Sequence, residues 1–275
     1  MLLAKPLETP TYLNQDHEHA EGLKAAYLFN DLGGKVFDWT QNQNDLSITD
    51  ASWVADGYSS SANTKYCEVS NANDKLINSD EGSIIFWLKS YSVFNDSFFR
   101  FFLHAFDGVQ IYIRKTTANR LEFTLYNLTT VRTIGILANS FPNWTTRYTM
   151  ITIQWRKSSD IFDNKKMAYN VDGEYKVPDY ALNATTLDTF DIPDALTLFQ
   201  HATLKSYFAN AIFSQLRFYS KVLSESTLKS IYQDPYSMFY NPSNIFLSLL
   251  GSYKSGLKIK QNYYGANAFP IGRGL

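Results

Sequence analysis

The 275-residue chain has one cysteine, Cys67, so no disulfide can close within it. In the strand-like segment KYCEVS that residue reads as a small apolar strand position rather than a reactive thiol. The opening MLLAKPLETP has no apolar run long enough for a signal peptide, and the longest late run, IFLSLL, is far too short to cross a bilayer. Without export, the sequons at Asn95, Asn127, Asn143 and Asn183 carry little weight. The net charge of −1 excludes a strong global attraction to nucleic acid or membrane. Glutamate is scarce, and no Glu has a carboxylate two positions on; those places hold Pro10, Ala20, Leu23, Ser70, Ser83, Thr124, Lys176 and Thr227. Residues i and i+2 of a strand share a face. The Glu-x-Asp pattern that would set two carboxylates about 5 Å apart on one strand face, as retaining glycosidases need, is therefore absent, although acids converging from different strands stay open. No Gly-rich phosphate loop and no Ser–His nucleophile arrangement stands out.

Aromatic side chains are plentiful, at 16% of residues with 19 Tyr and 20 Phe, and such residues favour strands. Short apolar-polar alternations follow one another: GLKAAYLFND, VFDWTQNQNDLSI, KYCEVS, SIIFWLKSY, SFFRFFLHAF, VQIYIRK, RLEFTLYN, VRTIGIL, YTMITIQWRK, KMAYNVDGEYK, LTLFQHA and AIFSQLRFYS. In VQIYIRK, Ile111 and Ile113 sit opposite Tyr112 and Arg114. Asp-Gly in NVDGEY is a strong hairpin signal. Ten or more short strands with turn chemistry between them predict a β-sandwich.

One stretch breaks the alternation. LSESTLKSIYQDPYSMF, Leu223 to Phe239, reads as a short helix with Ser224 as N-cap and Glu225 favouring the dipole. Leu223 and Leu228 are placed to staple it, Leu228, Ile231 and Tyr232 share a face, and Asp234-Pro235 stops it. So short a helix must lean on the sandwich. Three segments follow: an extended arm at 1–21, with Pro6, Pro10 and the polar run NQDHEHAEG; a body at 22–239; and a tail at 240–275. The tail holds Lys254, Lys258, Lys260 and Arg273 and no acid. Its Tyr263, Tyr264, Phe269 and Ile271 are costly to leave in water, which favours docking, by adding a strand to a neighbouring subunit, over a free flexible tail.

The order of these pieces resembles a laminin-G-like domain of the concanavalin A-like lectin/glucanase superfamily. The landmarks are GLKAAYLFND, DWTQNQND where the family often has Asp-x-Ser-Gly-x-Gly-Asn, SIIFWLKS with a buried Trp, MITIQWR with AYNVDGEYK, and the closing AIFSQLRFYSKVLSESTLKSIYQDP. They span roughly residues 22–236 and imply a concanavalin A-like jelly-roll β-sandwich with one short C-terminal helix and extended terminal arms. The start PLxxPxYLNxxHxxAEGLKAAYLFN and the ending DPYSMF resemble laminin-G-like proteins of tailed bacteriophages, carried on virions as decoration, fibre or tail components. That resemblance implies a non-enzymatic structural or accessory protein on the virion surface, released by host lysis. It would be oligomeric in the particle, fastened to other virion proteins through the C-terminal tail, and turned toward host surface glycans. A free carbohydrate-binding module is the alternative, and a glycan-cleaving enzyme the third.

No residue is assigned a catalytic, cofactor-binding or metal role. The candidates weighed were the acid cluster Asp188, Asp191 and Asp194, read as a solvated loop of Asp turns, and the loop with Asp38, Asn42 and Asn44. Related domains hold Ca²⁺ near that loop with help from acids before the closing strand. Here those later places look like Asn210 and Ser214, too few carboxylates for calcium, so the loop is expected to be ordered without metal. His17 and His19 read as members of a solvated arm, His104 and His201 as sheet residues. Trp87 and Trp155 belong to core packing. Trp39, Trp53, Trp144 and Tyr58 could stack on a sugar, but ordinary loop anchoring is the simpler reading of each.

Overall fold

The structure, a computed structural model, describes residues 12–30, 33–50, 52–55, 57–62, 64–70, 76–91, 96, 98–106, 110–126, 129–137, 141, 143, 145–187, 190, 195–201 and 207–240. In chain order its elements are β1 (Tyr12–Leu13), a 3-10 turn (Glu18–Ala20), β2 (Leu23–Tyr27), β3 (Lys35–Val36), β4 (Leu46–Thr49), β5 (Trp53–Val54), β6 (Gly57–Ser60), β7 (Tyr66–Ser70), β8 (Glu81–Ser90), β9 (Arg100–Phe106), β10 (Gln110–Lys115), β11 (Arg120–Tyr126), β12 (Val131–Leu137), β13 (Thr149–Arg156), β14 (Met167–Val171), β15 (Glu174–Lys176), β16 (Tyr180–Leu182), β17 (Ala195–Leu198), β18 (Ala211–Tyr219), α1 (Glu225–Gln233) and β19 (Phe239–Tyr240).

Two antiparallel sheets form a sandwich, as the alternation predicts, of the jelly-roll kind that the resemblance implies. The larger sheet runs β16-β12-β11-β10-β9-β17-β7-β4-β3. The smaller runs β15-β14-β13-β8-β18-β6-β5, with β2 also paired to β18. Period-two patterning decides what lies between them. Ile84, Phe86 and Leu88 of β8 and Ile151, Ile153 and Trp155 of β13 point inward. They meet Leu103, Ile113, Phe123 and Ile134 of the opposite sheet. The Trp155 ring lies 5.9 Å from that of Phe123, and its indole N–H donates to the Asn78 carbonyl at 2.8 Å. A void of about 10 Å³ between Phe86, Phe102 and Leu198 holds at most one water, so that part of the interior has no room for a ligand.

Trp87 is buried as expected, but not between the sheets. Its parity is opposite to that of Phe86 and Leu88, so it lies on the outer face of the smaller sheet with Ile85, Met150, Tyr219, Leu223, Leu228 and Ile231. There α1 covers it. Ser224 Oγ accepts the Thr227 N–H at 3.1 Å, and Asp234 closes the other end, its N–H donating to the Ser230 carbonyl. Leu223 and Leu228 share one cluster, as the staple requires. Tyr232 departs from its expected place: it is 36% exposed at the rim of the helix rather than on its buried face. At NVDGEY, Asp172 (φ +54°) and Gly173 (φ +87°) form the two-residue turn joining β14 to β15, with Val171 opposite Glu174. Two positive φ values in that turn match the right-handed twist of the strands.

Residues 12–21 lie against the body. Tyr12 and Leu13 pair with Tyr240 and Phe239, and the 3-10 turn buries His19. The His19 ring nitrogens sit 3.0 Å from Ser237 Oγ and 3.1 Å from Ser230 Oγ, and the Tyr219 hydroxyl donates to the His19 carbonyl. The expectation of a solvated histidine fails here, because both ring nitrogens find hydroxyl partners under the closing segment. Residues 1–11, and the tail beyond Tyr240, fall outside the described residues.

Candidate functional site

Strand register builds one continuous row across the outward face of the larger sheet. Ser47, Glu68, Thr197, His104, Tyr112, Thr124, Thr133 and Leu182 lie side by side, one from each of eight adjacent strands. Their sequence neighbours Cys67, Leu198, Leu103, Ile113, Phe123 and Ile134 face the core, which fixes the direction of the row. The Thr124 and Thr133 hydroxyls bond each other at 2.8 Å.

A second row lies beside it: Arg114, Glu122, Gly135 and Tyr180, with Phe101 brought opposite Arg114 by a bulge. Arg114 donates from Nε and Nη2 to Glu122 Oε2 at 3.2 and 3.0 Å. Arg120 Nη1 lies 3.5 Å from Glu122 Oε1, and its guanidinium sits 4.5 Å over the Tyr180 ring. Gly135 makes room for this: a Cβ there would come within 2.4 Å of Arg120 Cδ. Arg114 also stacks over Tyr112 at 4.7 Å and Phe99 at 5.6 Å. Two guanidinium groups are therefore held by one carboxylate and spread over aromatic faces.

Phe101 anchors the aromatic part. Its ring centroid is 5.2 Å from that of His104, 4.8 Å from His201, 6.1 Å from Tyr112 and 6.4 Å from Tyr207. His104 and His201 are 4.2 Å apart. His104 is buried, and burial, then the adjacent His201 and then Arg114, lower its pKa to about 3. Burial lowers that of His201 as well. Tyr207 is 46% exposed and adopts φ +58°, an uncommon conformation for a bulky aromatic. Its carbonyl accepts the Phe101 N–H at 2.8 Å, which holds it there. Around Phe101 the accessible side chains are thus Tyr112, Arg114 and Tyr207, with His104 and the threonines beneath, while Ser47 and Leu182 are exposed at the two ends of the row.

This face can stack on a ring and hydrogen-bond neighbouring hydroxyls. The carboxylates of its two rows, Glu68 and Glu122, stand on β7 and β11, four strand spacings apart. That is roughly 19 Å, well beyond either separation that glycoside hydrolysis uses.

The residues weighed from sequence go elsewhere. Asp38 is saturated by its own chain: Oδ1 accepts the Ala26 and Thr40 N–H groups, both at 3.0 Å, and Oδ2 accepts Thr40 Oγ1 at 2.8 Å and the Asn44 N–H at 3.0 Å. Asn42 and Asn44 donate their amides to the Lys24 carbonyl. The Asn210 carbonyl accepts the Tyr91 N–H, and Ser214 is buried in β18. Among the described residues, no group of three His, Cys, Asp or Glu side chains is placed to hold a metal ion. Tyr58 is stacked on Phe199 in the core. Trp53 packs edge-on against Tyr58 and donates to the Gly33 carbonyl, and Trp39 packs edge-on against Phe239. All three are anchors. Burial pushes the Cys67 thiol well up, so it is no nucleophile at neutral pH. Trp144, Asp188, Asp191 and Asp194 fall outside the described residues. Sequence reasoning passed over Tyr112, Arg114 and Tyr207 as site residues. The available signal was the strict alternation of VQIYIRK, which already set Tyr112 and Arg114 on the face away from the core.

No known family profile and no curated protein matches the chain. Solved structures do share its fold. The receptor-binding domain of botulinum neurotoxin D is similar over 78% of this chain and 53% of its own length, with a TM-score of 0.60 and 13% identity. The ligand-binding domain of serotype D in complex with N-acetylneuraminic acid matches over 78% and 51%, with a TM-score of 0.60 and 12% identity. The serotype G binding domain matches over 78% and 51%, with a TM-score of 0.60 and 13% identity. The chain spans about half the length of these relatives. The likeness is one of fold, a two-sheet β-sandwich.

Proposed function

We propose that the chain is a non-enzymatic, lectin-like binding domain that contacts glycans through the outward face of its larger sheet, and that it serves as an accessory protein on a virion. The observation that carries the glycan reading is the Tyr112–Arg114–Glu122 constellation. A partly exposed ring stands beside a guanidinium and a carboxylate locked to each other at 3.0 Å. Aromatic stacking with neighbouring donors and acceptors suits a pyranose ring and its hydroxyls. The fold shared with neurotoxin binding domains, one of them in complex with N-acetylneuraminic acid, supports the same reading. The roughly 19 Å between Glu68 and Glu122 argues for binding without cleavage. The virion role rests on the resemblance of the landmark segments to laminin-G-like phage proteins and on the acid-free segment 240–275, which would fasten to other virion proteins.

A glycan array followed by titration of the best binder tests the first part. Tyr112→Ala and Arg114→Ala should each weaken binding about tenfold while the thermal midpoint stays close to that of the parent. Variants that bind like the parent, or an array with no binder, would refute it, and reducing-sugar release from a polysaccharide panel would make the chain an enzyme. Deleting residues 240–275 should abolish incorporation into particles and leave sugar binding intact.

A further inference from the structure

On the opposite side of the sandwich a groove of about 440 Å³ opens between the C-terminal end of α1, the outer face of β8 and the segment before β13. Its size is that of a small-molecule site. Trp87, Tyr148 and Tyr232 supply aromatic lining, and Lys89 and Arg147 supply charge; among the described residues no acid lines it. Lys89 follows Trp87 by two residues on β8, so the indole and the ammonium stem lie on one face. Among the described residues no carboxylate pairs with Lys89. Arg147 is held in place: its Nη2 donates to Asp172 at 2.6 Å and its Nη1 to the Tyr232 hydroxyl at 3.2 Å. Asp172 in turn accepts the Met150 N–H at 2.9 Å, which seats it in the β14–β15 turn. Arg147 is therefore a pre-set wall whose charge is partly balanced, and Lys89 is the cation left for a ligand. Tyr232 is 36% exposed beside both.

We infer that this groove is a second binding site, separate from the outward face of the larger sheet, and that it takes an acidic sugar: a pyranose ring carrying a carboxylate. The ring stacks against Tyr232 or Tyr148, and the carboxylate accepts from the Lys89 ammonium. A neutral sugar uses the stacking but leaves Lys89 without a counter-charge, so charge is what this site selects.

The test uses the full chain, isothermal titration and two matched probes, tri-galacturonic acid and its fully methyl-esterified form, with sodium sulfate as a third titrant. The acid should bind about tenfold more tightly than the ester, since a hydrogen bond to a charged group is worth that much. Lys89→Met, which keeps the apolar stem, should remove most of that preference, and Tyr232→Ala should weaken both probes. Melting curves of both variants confirm folding, and ¹⁵N shifts at Trp87 and Tyr232 locate the site. Equal binding of acid and ester, no binding of the acid, an unchanged preference in Lys89→Met, or sulfate competing as well as the sugar acid would each overturn the inference. Tyr112→Ala and Arg114→Ala should leave this titration unchanged, so its failure does not touch the other face.

Discussion

His104 sits at the centre of the outward row, and its burial sets a pH dependence that can be calculated. In an unfolded chain the imidazole titrates near 6.5; in the folded protein, burial first, then His201 and Arg114, hold its pKa at about 3. The native state favours the neutral ring, so below pH 6.5 the unfolded chain binds the proton more readily. The contribution to stability is fully present above pH 6.5 and falls as the pH drops toward 3. At pH 5.0 the gap is one and a half units at about 1.4 kcal/mol each, a loss of about 2 kcal/mol relative to pH 7.5. The full loss, reached near pH 3, is about 5 kcal/mol. Set against a total stability of about 5–15 kcal/mol, even the first figure is large. The assay is urea unfolding followed by tryptophan fluorescence at pH 7.5 and 5.0, on the parent and on His104→Gln. Groups that titrate in both proteins, His19 and His201 included, largely cancel in the comparison. The parent should lose about 2 kcal/mol more than the variant between the two conditions. Equal losses would refute the reasoning, because the imidazole would then be free to take its proton in the folded sheet.

Other outcomes follow from single contacts. Ser224→Ala removes the acceptor of the Thr227 N–H and should cost about 1 kcal/mol in urea unfolding. Gly173→Ala should cost at least about 1 kcal/mol, because its φ of +87° is unfavourable for alanine and the added Cβ would lie 3.1 Å from the backbone of Lys229 in α1. Asp38→Ala strands the Ala26 and Asn44 amides and should cost about 3 kcal/mol. EDTA should leave the thermal midpoint of the parent unchanged; a fall of several degrees on chelation would show that the loop holds a metal.

Much of the body was legible because its signals are local. The alternation in VQIYIRK and RLEFTLYN set both the strands and the sides on which their residues fall. Asp172-Gly173 and the Ser224 cap read directly as a hairpin turn and a helix start. The short strands β5, β6 and β16 went unread because a run of two to four residues carries too little periodicity; β5 pairs with the adjacent β6, but β6 and β16 also need β18 and β12, far along the chain. Trp87 reads as a core residue for good reason, since it is buried; only the path of α1 tells that it is buried on the outside. His19 shows the same limit. Nothing in NQDHEHAEG reveals that Ser230 and Ser237, more than 200 residues away, will supply both of its partners.

The amino-acid sequence by itself determined the two-layered β architecture, the single capped helix and the scarcity of paired acids, because each depends on residue type and spacing within about ten positions. The tertiary structure alone decided which outward residues stand together. Tyr112, Arg114 and Glu122 on one face, and Trp87, Lys89 and Arg147 on the other, are joined by strand register and helix docking. Those are long-range choices, settled by the burial of the whole core rather than by any one segment.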